Sequence, residues 1–210
     1  MSGLLQLQNN MVLAFGTPVA AYQWPDSKHI NEQLAQLILK KEQIDTAVNR
    51  SNRGGWHSDM DLFDWEGLAI QTLMTRTQEM IGGLTRNVVL TADKPRNFSY
   101  RFSAWANINR RHSYNQIHNH PDSVWSGVYY VACGQMDKGW GENGKLELID
   151  PRTAVNMIAI KDSLMDGRYL VDPIPGLMVV FPSWLKHLVH PYYGDGERIS
   201  IAFNVMVEEK

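Results

Sequence analysis

The sequence predicts an α+β protein in which helices near the amino terminus are followed by a β-sandwich or barrel. Helical periodicity is confined to residues 1–95, whereas after Lys94 and Pro95 the apolar residues come in short β-branched or aromatic runs. Gly, Pro or Asp separates these runs, as is typical of antiparallel strands. Helices followed by a series of strands favour an α+β fold, and sheets that close on each other leave few exposed edges.

Two helices are expected in the amino-terminal half, after an edge strand near Met11–Phe15. Asp26 or Ser27 can cap the first helix, over 28–43. Its apolar positions follow the helical period: Ile30, Leu34, Leu37 and Ile38. The second helix is expected over 63–83. Its inward residues and its terminating glycines are, in order, Leu68, Ile70, Leu73, Met74, Gly82 and Gly83.

Between these helices lies a polar, glycine-bearing segment, "NRSNRGGWHSD" (49–59), which is expected to be a loop. It contains His57, Ser58 and Asp59, a possible metal-binding group. No distal ligand pattern follows this group before the strands begin, and Asp59 or Asp61 is well placed to cap the second helix. The segment is therefore interpreted as loop and cap rather than as a metal site.

Six strands are predicted after residue 95: 97–108, 126–133, 145–150, 154–160, 176–182 and 198–207. The sequence contains neither an internal repeat nor a linker-like segment. We therefore expect a single domain over 1–210, with a helical support region (1–95) and a strand-rich core (96–210).

Composition excludes several classes of protein. The chain has 210 residues, 44% of them hydrophobic and 20% charged, with a net charge of −2, so neither a nucleic-acid nor a membrane-surface partner is expected. No apolar run is long enough to span a membrane, and the amino terminus lacks the basic region of a signal peptide. Cys133 is the single cysteine, which favours a reducing, cytoplasmic setting.

A possible metal site lies in the stretch "QIHNHPDSVW" (116–125). His118, His120 and Asp122 occupy alternate positions, and residues two apart on an extended backbone point to the same face. Imidazole and carboxylate ligands at this spacing suit Fe(II), Mn(II) or Zn(II). Histidine pairs also arise by chance in a chain with seven histidines, so the site needs a distal partner.

The carboxyl-terminal region supplies that partner. His187 lies at the start of a strand-like segment, Arg198 follows eleven residues later, and Ser200 alternates with Arg198 onto one face of the last strand. A guanidinium beside a hydroxyl forms a carboxylate receptor through charge-assisted hydrogen bonds. A metal ligand close to a carboxylate receptor is more informative than either feature alone.

With these residues in view, the chain resembles the Fe(II)- and 2-oxoglutarate-dependent oxygenases, which share a double-stranded β-helix (jelly-roll) fold. More narrowly, it resembles a bacterial and phage group within the prolyl-hydroxylase-like superfamily. The motifs that carry the resemblance are His118–Pro121, Ser126–Tyr130, Phe181–His187 and "SNRGGWHS" (51–58). Such an enzyme would use Fe(II), 2-oxoglutarate and O₂ to oxidise a substrate, with release of succinate and CO₂.

The resemblance also implies roles for individual residues. His187 corresponds to the distal metal ligand, and Arg198 to the arginine that binds the distal carboxylate of 2-oxoglutarate, with Ser200 beside it. Tyr130 matches a tyrosine that helps to bind this carboxylate in the prolyl-hydroxylase branch. Ser126 would line the same pocket, and Asn107 would lie near the metal-proximal end of the cosubstrate.

The first two metal ligands are open between two sets. The superfamily pattern His-x-Asp/Glu matches His120 and Asp122, whereas the narrower group favours His118 with His120. We lean to His120, Asp122 and His187, because two histidines and a carboxylate leave three positions for 2-oxoglutarate and O₂. His190 would face away from His187 and is interpreted as structural.

Other functions also fit the sequence. The same barrel could be a cupin-like metalloenzyme that does not use 2-oxoglutarate, or a non-catalytic barrel that binds a metal or a small acid. The tryptophans that flank the motifs, Trp105, Trp125 and Trp184, could line the substrate entrance or lie in the core. The amino-terminal helices could also form the face of a homodimer.

Overall fold

A computed structural model describes residues 15–88, 96–153, 160, 163 and 165–210, which form two antiparallel sheets and two long helices. The helices are α1 (Ser27–Ile44) and α2 (Leu68–Val88), with a short 3₁₀ helix at Leu62–Asp64. The strands are β1 (Ala20–Gln23), β2 (Asn52–Arg53), β3 (Trp56–His57), β4 (Phe98–Asn109), β5 (Tyr114–His118), β6 (Trp125–Met136), β7 (Leu146–Ile149), β8 (Arg168–Val171), β9 (Leu177–Pro182), β10 (His187–Val189) and β11 (Gly194–Glu209).

The larger sheet has the strand order β1-β9-β6-β11-β4-β3, and the smaller one has the order β2-β5-β10-β7-β8. The helices pack on the outer face of the larger sheet. Apolar side chains of α1 and α2 share one buried cluster with alternate residues of the long strands, among them Ile199, Ile201 and Phe203. The predicted α+β class, with amino-terminal helices packed on one sheet, is confirmed. Neither of the described helices is long and apolar enough to cross a membrane.

The alternation of side chains on β11 separates this core from the site. Arg198 and Ser200 point away from the helices, toward the smaller sheet. A second buried cluster, which includes Leu146, Leu148 and Phe181, lies on that side. The space between the two sheets is therefore lined by apolar side chains over part of its length. It is polar where Arg198 and Ser200 of β11 point into it.

Helix α1 begins where it was expected, but its predicted cap is wrong. Asp26 occupies the N-cap position with a left-handed backbone (φ 51°) and no side-chain hydrogen bond to the helix. The Ser27 hydroxyl instead donates to the Trp24 carbonyl at 2.6 Å. The inward face is as predicted, since Ile30, Leu34 and Ile38 are buried.

Helix α2 departs from the expected bounds at both ends. The residues before Leu68 form the separate 3₁₀ turn, and Leu68 itself is 72% exposed rather than inward. Gly82 and Gly83 do not end the helix, which continues to Val88. Neither glycine has a positive φ, and Ile81 and Thr85 on either side of them are buried, so packing keeps this stretch helical.

Several short strands were not predicted: β1, β2, β3, β5, β8 and β10. Most have two to four residues, which is too short to show an alternating pattern. The segment expected to be a loop over 49–59 contains β2 and β3. The strands expected near Met11–Phe15 and over 154–160 fall largely on residues 11–14 and 154–159, which lie outside the described residues.

Candidate active site

A row of polar side chains crosses the inner face of the larger sheet. In the register of the strands, His57 on β3 lies beside Asn107 on β4, which lies beside Ser200 on β11, which lies beside Tyr130 on β6. Residues paired in this way project to the same face of a sheet. Arg198 lies two residues before Ser200 on that face. Four strands thus build one polar surface that faces the smaller sheet.

Three histidines meet on the opposite wall. His118 ends β5, His187 begins β10, and the two are partners in the strand register, while His120 follows two residues after His118. One ring nitrogen from each histidine lies within 4.8 Å of the others. The ring centroids are 4.3 to 5.2 Å apart, and their planes are tilted rather than stacked. This arrangement suits three imidazole ligands on one face of a metal ion.

Backbone contacts fix which nitrogen can bind a metal. The Nδ1 atom of His118 lies 2.7 Å from the carbonyl oxygen of Gln116, and Nδ1 of His187 lies 2.9 Å from that of Leu185. A carbonyl oxygen only accepts hydrogen bonds, so in both rings Nδ1 carries the proton. The Nε2 lone pairs are therefore available to a metal, as in most histidine metal sites with a backbone partner.

The protonation state is favourable as well. Burial lowers the pKa of His118, and burial together with the neighbouring His118 and His57 lowers the pKa of His120 to about 4. Burial and the adjacent histidines lower the pKa of His187 to about 3. All three imidazoles are thus neutral near pH 7, which is the form that binds metal.

Asp122 is not part of this group. It lies exposed in the turn after Pro121, with a left-handed backbone (φ 68°), and the metal-ligating cluster of described residues at this place consists of the three histidines alone. The geometry therefore favours the set His118, His120 and His187 over the set with Asp122 to which the sequence pattern leaned. Because its backbone is left-handed rather than extended, Asp122 does not continue the alternation that places His118 and His120 on one side.

Arg198 is the largest fully buried side chain, with 1% of its surface exposed. Its Nε donates to the carbonyl oxygen of Gly144 at 3.0 Å, one Nη donates to the Ser200 hydroxyl at 3.3 Å, and the guanidinium lies 5.3 Å from the centre of the Tyr130 ring. Among the described residues, no carboxylate pairs with it. A buried cation without an anion is costly, so this arrangement fits an anionic ligand.

Two buried polar atoms beside Arg198 also have no partner among the described residues: the Tyr130 hydroxyl and the Asn107 side-chain oxygen. Burial raises the pKa of Tyr130 to about 12, so its hydroxyl stays protonated and can donate to a carboxylate. Ser126 already uses its hydroxyl, which donates to the Asn204 oxygen at 2.8 Å. Ser126 therefore lines the pocket, but its proton is engaged within the protein.

A cavity of about 390 Å³ joins the histidines to Arg198. Of the predicted metal and cosubstrate residues, Asp122 alone is not part of its lining. Apolar side chains of Val128, Leu146 and Phe181 cover the wall between the polar groups. Neutral imidazoles at one place and an unpaired buried guanidinium at another fit a divalent metal that chelates a dicarboxylate.

The structure adds His57, which the sequence interpretation assigned to a loop and cap. His57 is 4% exposed, stacks on Trp105 at 5.6 Å and lines the same cavity. Burial lowers its pKa. The Ser58 hydroxyl accepts from the backbone nitrogen of Ala106 and fixes β3 against β4. Asp61, one of the two predicted caps of the second helix, instead precedes the 3₁₀ turn and makes no side-chain capping hydrogen bond. A two-residue strand leaves no periodic signal in the sequence, so the sequence offered His57 as a candidate but did not place it beside the other residues of the site.

The remaining predicted positions are resolved by their contacts. Nε2 of His190 lies 2.7 Å from a carboxylate oxygen of Glu147, and His190 is not part of the cavity lining. Trp105 lines the cavity, whereas Trp125 is buried and donates to Thr85 at 3.1 Å. Trp184 is 51% exposed.

The sequence of the strand-rich part of the chain is similar to a known family. Residues 103–204, which carry the three histidines, Tyr130 and Arg198, match the family described as "Putative 2OG-Fe(II) oxygenase". No curated protein matches the chain in sequence.

Solved structures match over most of the chain. A prolyl-4-hydroxylase from Pseudomonas putida is 17% identical, with 91% of this chain and 92% of that chain covered and a TM-score of 0.59. A viral collagen prolyl hydroxylase from Paramecium bursaria Chlorella virus-1, in complex with 2-oxoglutarate, is 12% identical, with coverages of 89% and 94% and a TM-score of 0.56. HygX from Streptomyces hygroscopicus, with nickel and 2-oxoglutarate bound, is 12% identical, with coverages of 90% and 83% and a TM-score of 0.58.

At these identities the solved structures establish the fold, which is the double-stranded β-helix. The family match covers 102 of the 210 residues, all of them within the predicted strand-rich core. These findings support the resemblance to Fe(II)- and 2-oxoglutarate-dependent oxygenases that the sequence motifs carry, rather than the cupin-like or non-catalytic alternatives.

Proposed function

We propose that His118, His120 and His187 hold Fe(II) through their Nε2 atoms. The convergence within 4.8 Å of three neutral imidazoles, of which His187 is buried and His118 and His120 are half-buried, supports this ligand set. Backbone acceptors at Gln116 and Leu185 orient two of the rings before a metal arrives. Three protein ligands would leave further positions on the metal for 2-oxoglutarate and O₂.

Arg198 is proposed to bind the distal carboxylate of 2-oxoglutarate, together with the Ser200 and Tyr130 hydroxyls. The single observation that carries the proposed function is this buried guanidinium, which has no carboxylate partner among the described residues and shares a cavity with the three histidines. Asn107 supplies a further polar atom, and Ser126 shapes the wall. The apolar side chains of Val128, Leu146 and Phe181 line the wall between these polar groups.

The overall reaction consumes 2-oxoglutarate, O₂ and a substrate C–H group, and yields succinate, CO₂ and the hydroxylated product. Bound Fe(II) would supply the activation of O₂ that couples decarboxylation to substrate oxidation. The protein's own groups bind and orient the cosubstrate and keep the site dry, because the reaction needs no side chain as an acid or base. Because the three histidines stay neutral near pH 7, their nitrogen lone pairs are available to a metal rather than taken up by protons.

The direct test is succinate formation from 2-oxoglutarate under air, with Fe(II) and without added substrate. We expect slow uncoupled turnover by the native protein, and its loss in His187→Ala. In Arg198→Gln, turnover should return only at much higher 2-oxoglutarate concentration. Succinate formation that is independent of both residues would overturn the assignment of the site.

Three broader proposals accompany this function. We propose one oxygenase domain over 1–210, with 1–95 as the helical support of the strand-rich core at 96–210. A cytoplasmic location is supported by Cys133, a free and buried thiol. A homodimer through the amino-terminal helices is a further proposal, and light scattering at two protein concentrations would test it.

A further inference from the structure

The cavity holds a second arginine that the proposed cosubstrate site does not use. Arg50 is exposed and lines the cavity, whereas Arg198 is buried within it. Neighbouring Ser51 places its hydroxyl 3.4 Å from Nε2 of His118, so this segment lies directly beside the proposed metal ligands. The Arg50 guanidinium has no ion pair or hydrogen bond with any side chain or carbonyl of the described residues.

The backbone around Arg50 is held in place. The Arg50 amide donates to the side-chain oxygen of Asn52 at 2.8 Å, and the Asn52 amide group donates to the Gly55 carbonyl at 3.0 Å. The Ser51 carbonyl accepts a hydrogen bond from the backbone nitrogen of Gln116 at 2.9 Å, which ties the segment to β5. Arg50 is therefore presented from an anchored segment at the mouth of the cavity.

The charged side chains that line the cavity, among the described residues, are all positive. Among the described residues that line it, two are arginines and none is Asp or Glu. Fe(II) and Arg198 together bring three positive charges, and 2-oxoglutarate brings two negative ones, while three neutral imidazoles add none. Arg50 increases this positive excess further. A cleft of one sign of charge favours a ligand of the opposite sign.

We propose that the substrate oxidised at this site carries a carboxylate or phosphate group, which the Arg50 guanidinium binds at the mouth of the cavity. The inference rests on the proposed function, since Arg198 must already be taken by 2-oxoglutarate. The Arg50 guanidinium anchors the anionic end, and the C–H group to be oxidised reaches past Ser51 and His57 toward the metal. His57, stacked on Trp105, forms the adjoining wall.

The test uses the full chain with Mn(II) in place of Fe(II) and saturating 2-oxoglutarate, so that the Arg198 site is filled. Inorganic phosphate, followed by its ³¹P line width, and ¹³C-labelled acetate serve as separate probes of the two anionic groups. An anion near Arg50 is close enough to Mn(II) for its resonance to broaden. Arg50→Gln should weaken this broadening about tenfold, the order expected for one lost charged hydrogen bond, and Arg50→Lys should retain part of it.

Arg53→Gln is the matched control. Arg53 carries the same charge on the same segment, but it does not line the cavity and donates to the carbonyls of Arg50 and Asn52. Broadening should persist in this variant. Absence of broadening in the native protein, or equal broadening in the native protein and Arg50→Gln, would overturn the proposal.

The outcome also separates this inference from the proposed function. If Mn(II) and 2-oxoglutarate bind in an Arg198-dependent way but neither anion responds to Arg50, the substrate class is wrong and the oxygenase site stands. If Mn(II) and 2-oxoglutarate do not bind, the proposed site fails and the inference fails with it. Broadening of only one probe would assign the anionic group as phosphate or carboxylate.

Discussion

At the scale of a single residue, Arg198 shows that a side chain suited to ligand binding can be unfavourable for the stability of the ligand-free protein. Burying a guanidinium without a carboxylate is unfavourable in the ligand-free protein, and the group is useful only when a dianion arrives. Its hydrogen bonds to Gly144 and Ser200 satisfy some of its five N–H donors and leave the others to the ligand. The site is thus organised for a ligand before the ligand binds.

Arg198→Met should therefore separate binding from stability. We expect the affinity for 2-oxoglutarate in the presence of Mn(II) to fall about 10- to 100-fold, because charged hydrogen bonds are lost. The free energy of unfolding of the metal-free protein should change by less than about 1 kcal/mol or increase. Calorimetry and urea denaturation measure the two quantities. A loss of stability well beyond this with unchanged 2-oxoglutarate affinity would assign Arg198 to the structure rather than to the ligand.

The metal ligands give the second prediction at this scale. His118→Ala should lower the affinity for Mn(II) more than about 100-fold, since even residues that only support a ligand cost 10- to 100-fold. Asp122→Asn should leave the affinity within about twofold, because Asp122 lies exposed in a turn. Isothermal titration calorimetry of the metal-free variants with Mn(II) measures the two affinities. The reverse ranking would restore the carboxylate as a ligand.

These two ligand sets show what the sequence could and could not predict. Arg198 and Tyr130 were recognisable because each lies on a long strand with clear alternation, and His187 because it ends the Phe181–His187 motif that carries the family resemblance. The choice between His118 and Asp122 depends on the backbone direction after Pro121, which alternation along the sequence does not encode. His57 was considered but assigned to a loop and cap for a similar reason, since its strand has only two residues.

At the scale of elements, Gly127 shows how closely β6 packs against its neighbouring strands β9 and β11. A Cβ added at Gly127 would clash with the Phe203 ring and lie 2.8 Å from the carbonyl oxygen of Val179. Gly127 is thus required by close packing between neighbouring strands rather than by its backbone angles. In contrast, a Cβ at Gly83 in α2 would meet nothing within 4 Å.

The pair Gly127→Ala and Gly83→Ala tests this difference. Gly127→Ala should destabilise the protein by about 1–3 kcal/mol through overpacking. Gly83→Ala should stabilise it by about 0.5–1 kcal/mol, because alanine favours the helix interior. Thermal or urea unfolding of both variants measures the effect. Equal effects of the two substitutions would contradict the packing described here.

At the same scale, long elements were predictable and short ones were not. The strands Phe98–Asn109 and Gly194–Glu209 carry aromatic and β-branched alternation, and helix Ser27–Ile44 carries a regular apolar face. The double glycine suggested a helix end that does not occur at Gly83, because glycine stops a helix only where it adopts a left-handed conformation.

At the scale of the whole molecule, the buried histidines make stability depend on pH. In the folded, metal-free protein the pKa of His187 is about 3 and that of His120 about 4, and that of His118 is also lowered, whereas in the unfolded chain all three have the ordinary value of 6.5. Below pH 6.5 the unfolded chain therefore binds protons that the folded protein does not. The stability is fully present above pH 6.5 and is lost as the pH falls toward 4 and 3.

We accordingly expect the free energy of unfolding of metal-free protein to fall from pH 7 to pH 5, by up to about 1.4 kcal/mol per pH unit for each of these histidines. His187→Gln should make the decline shallower, because one of the protonating groups is removed. His29→Gln, at an exposed position on α1, should leave it unchanged. Urea unfolding at several pH values measures the slope. A flat profile would mean that these imidazoles take up protons over the same pH range in the folded protein as in the unfolded chain, and would contradict their lowered pKa values.

The central claim is that three histidines and one buried arginine form a single site for Fe(II) and 2-oxoglutarate. A crystal structure obtained without oxygen, in the presence of Fe(II) and 2-oxoglutarate, tests it most directly. We predict one metal ion bound by Nε2 of His118, His120 and His187, with the far carboxylate of 2-oxoglutarate on Arg198. A metal held by Asp122, or 2-oxoglutarate bound away from Arg198, would contradict the account.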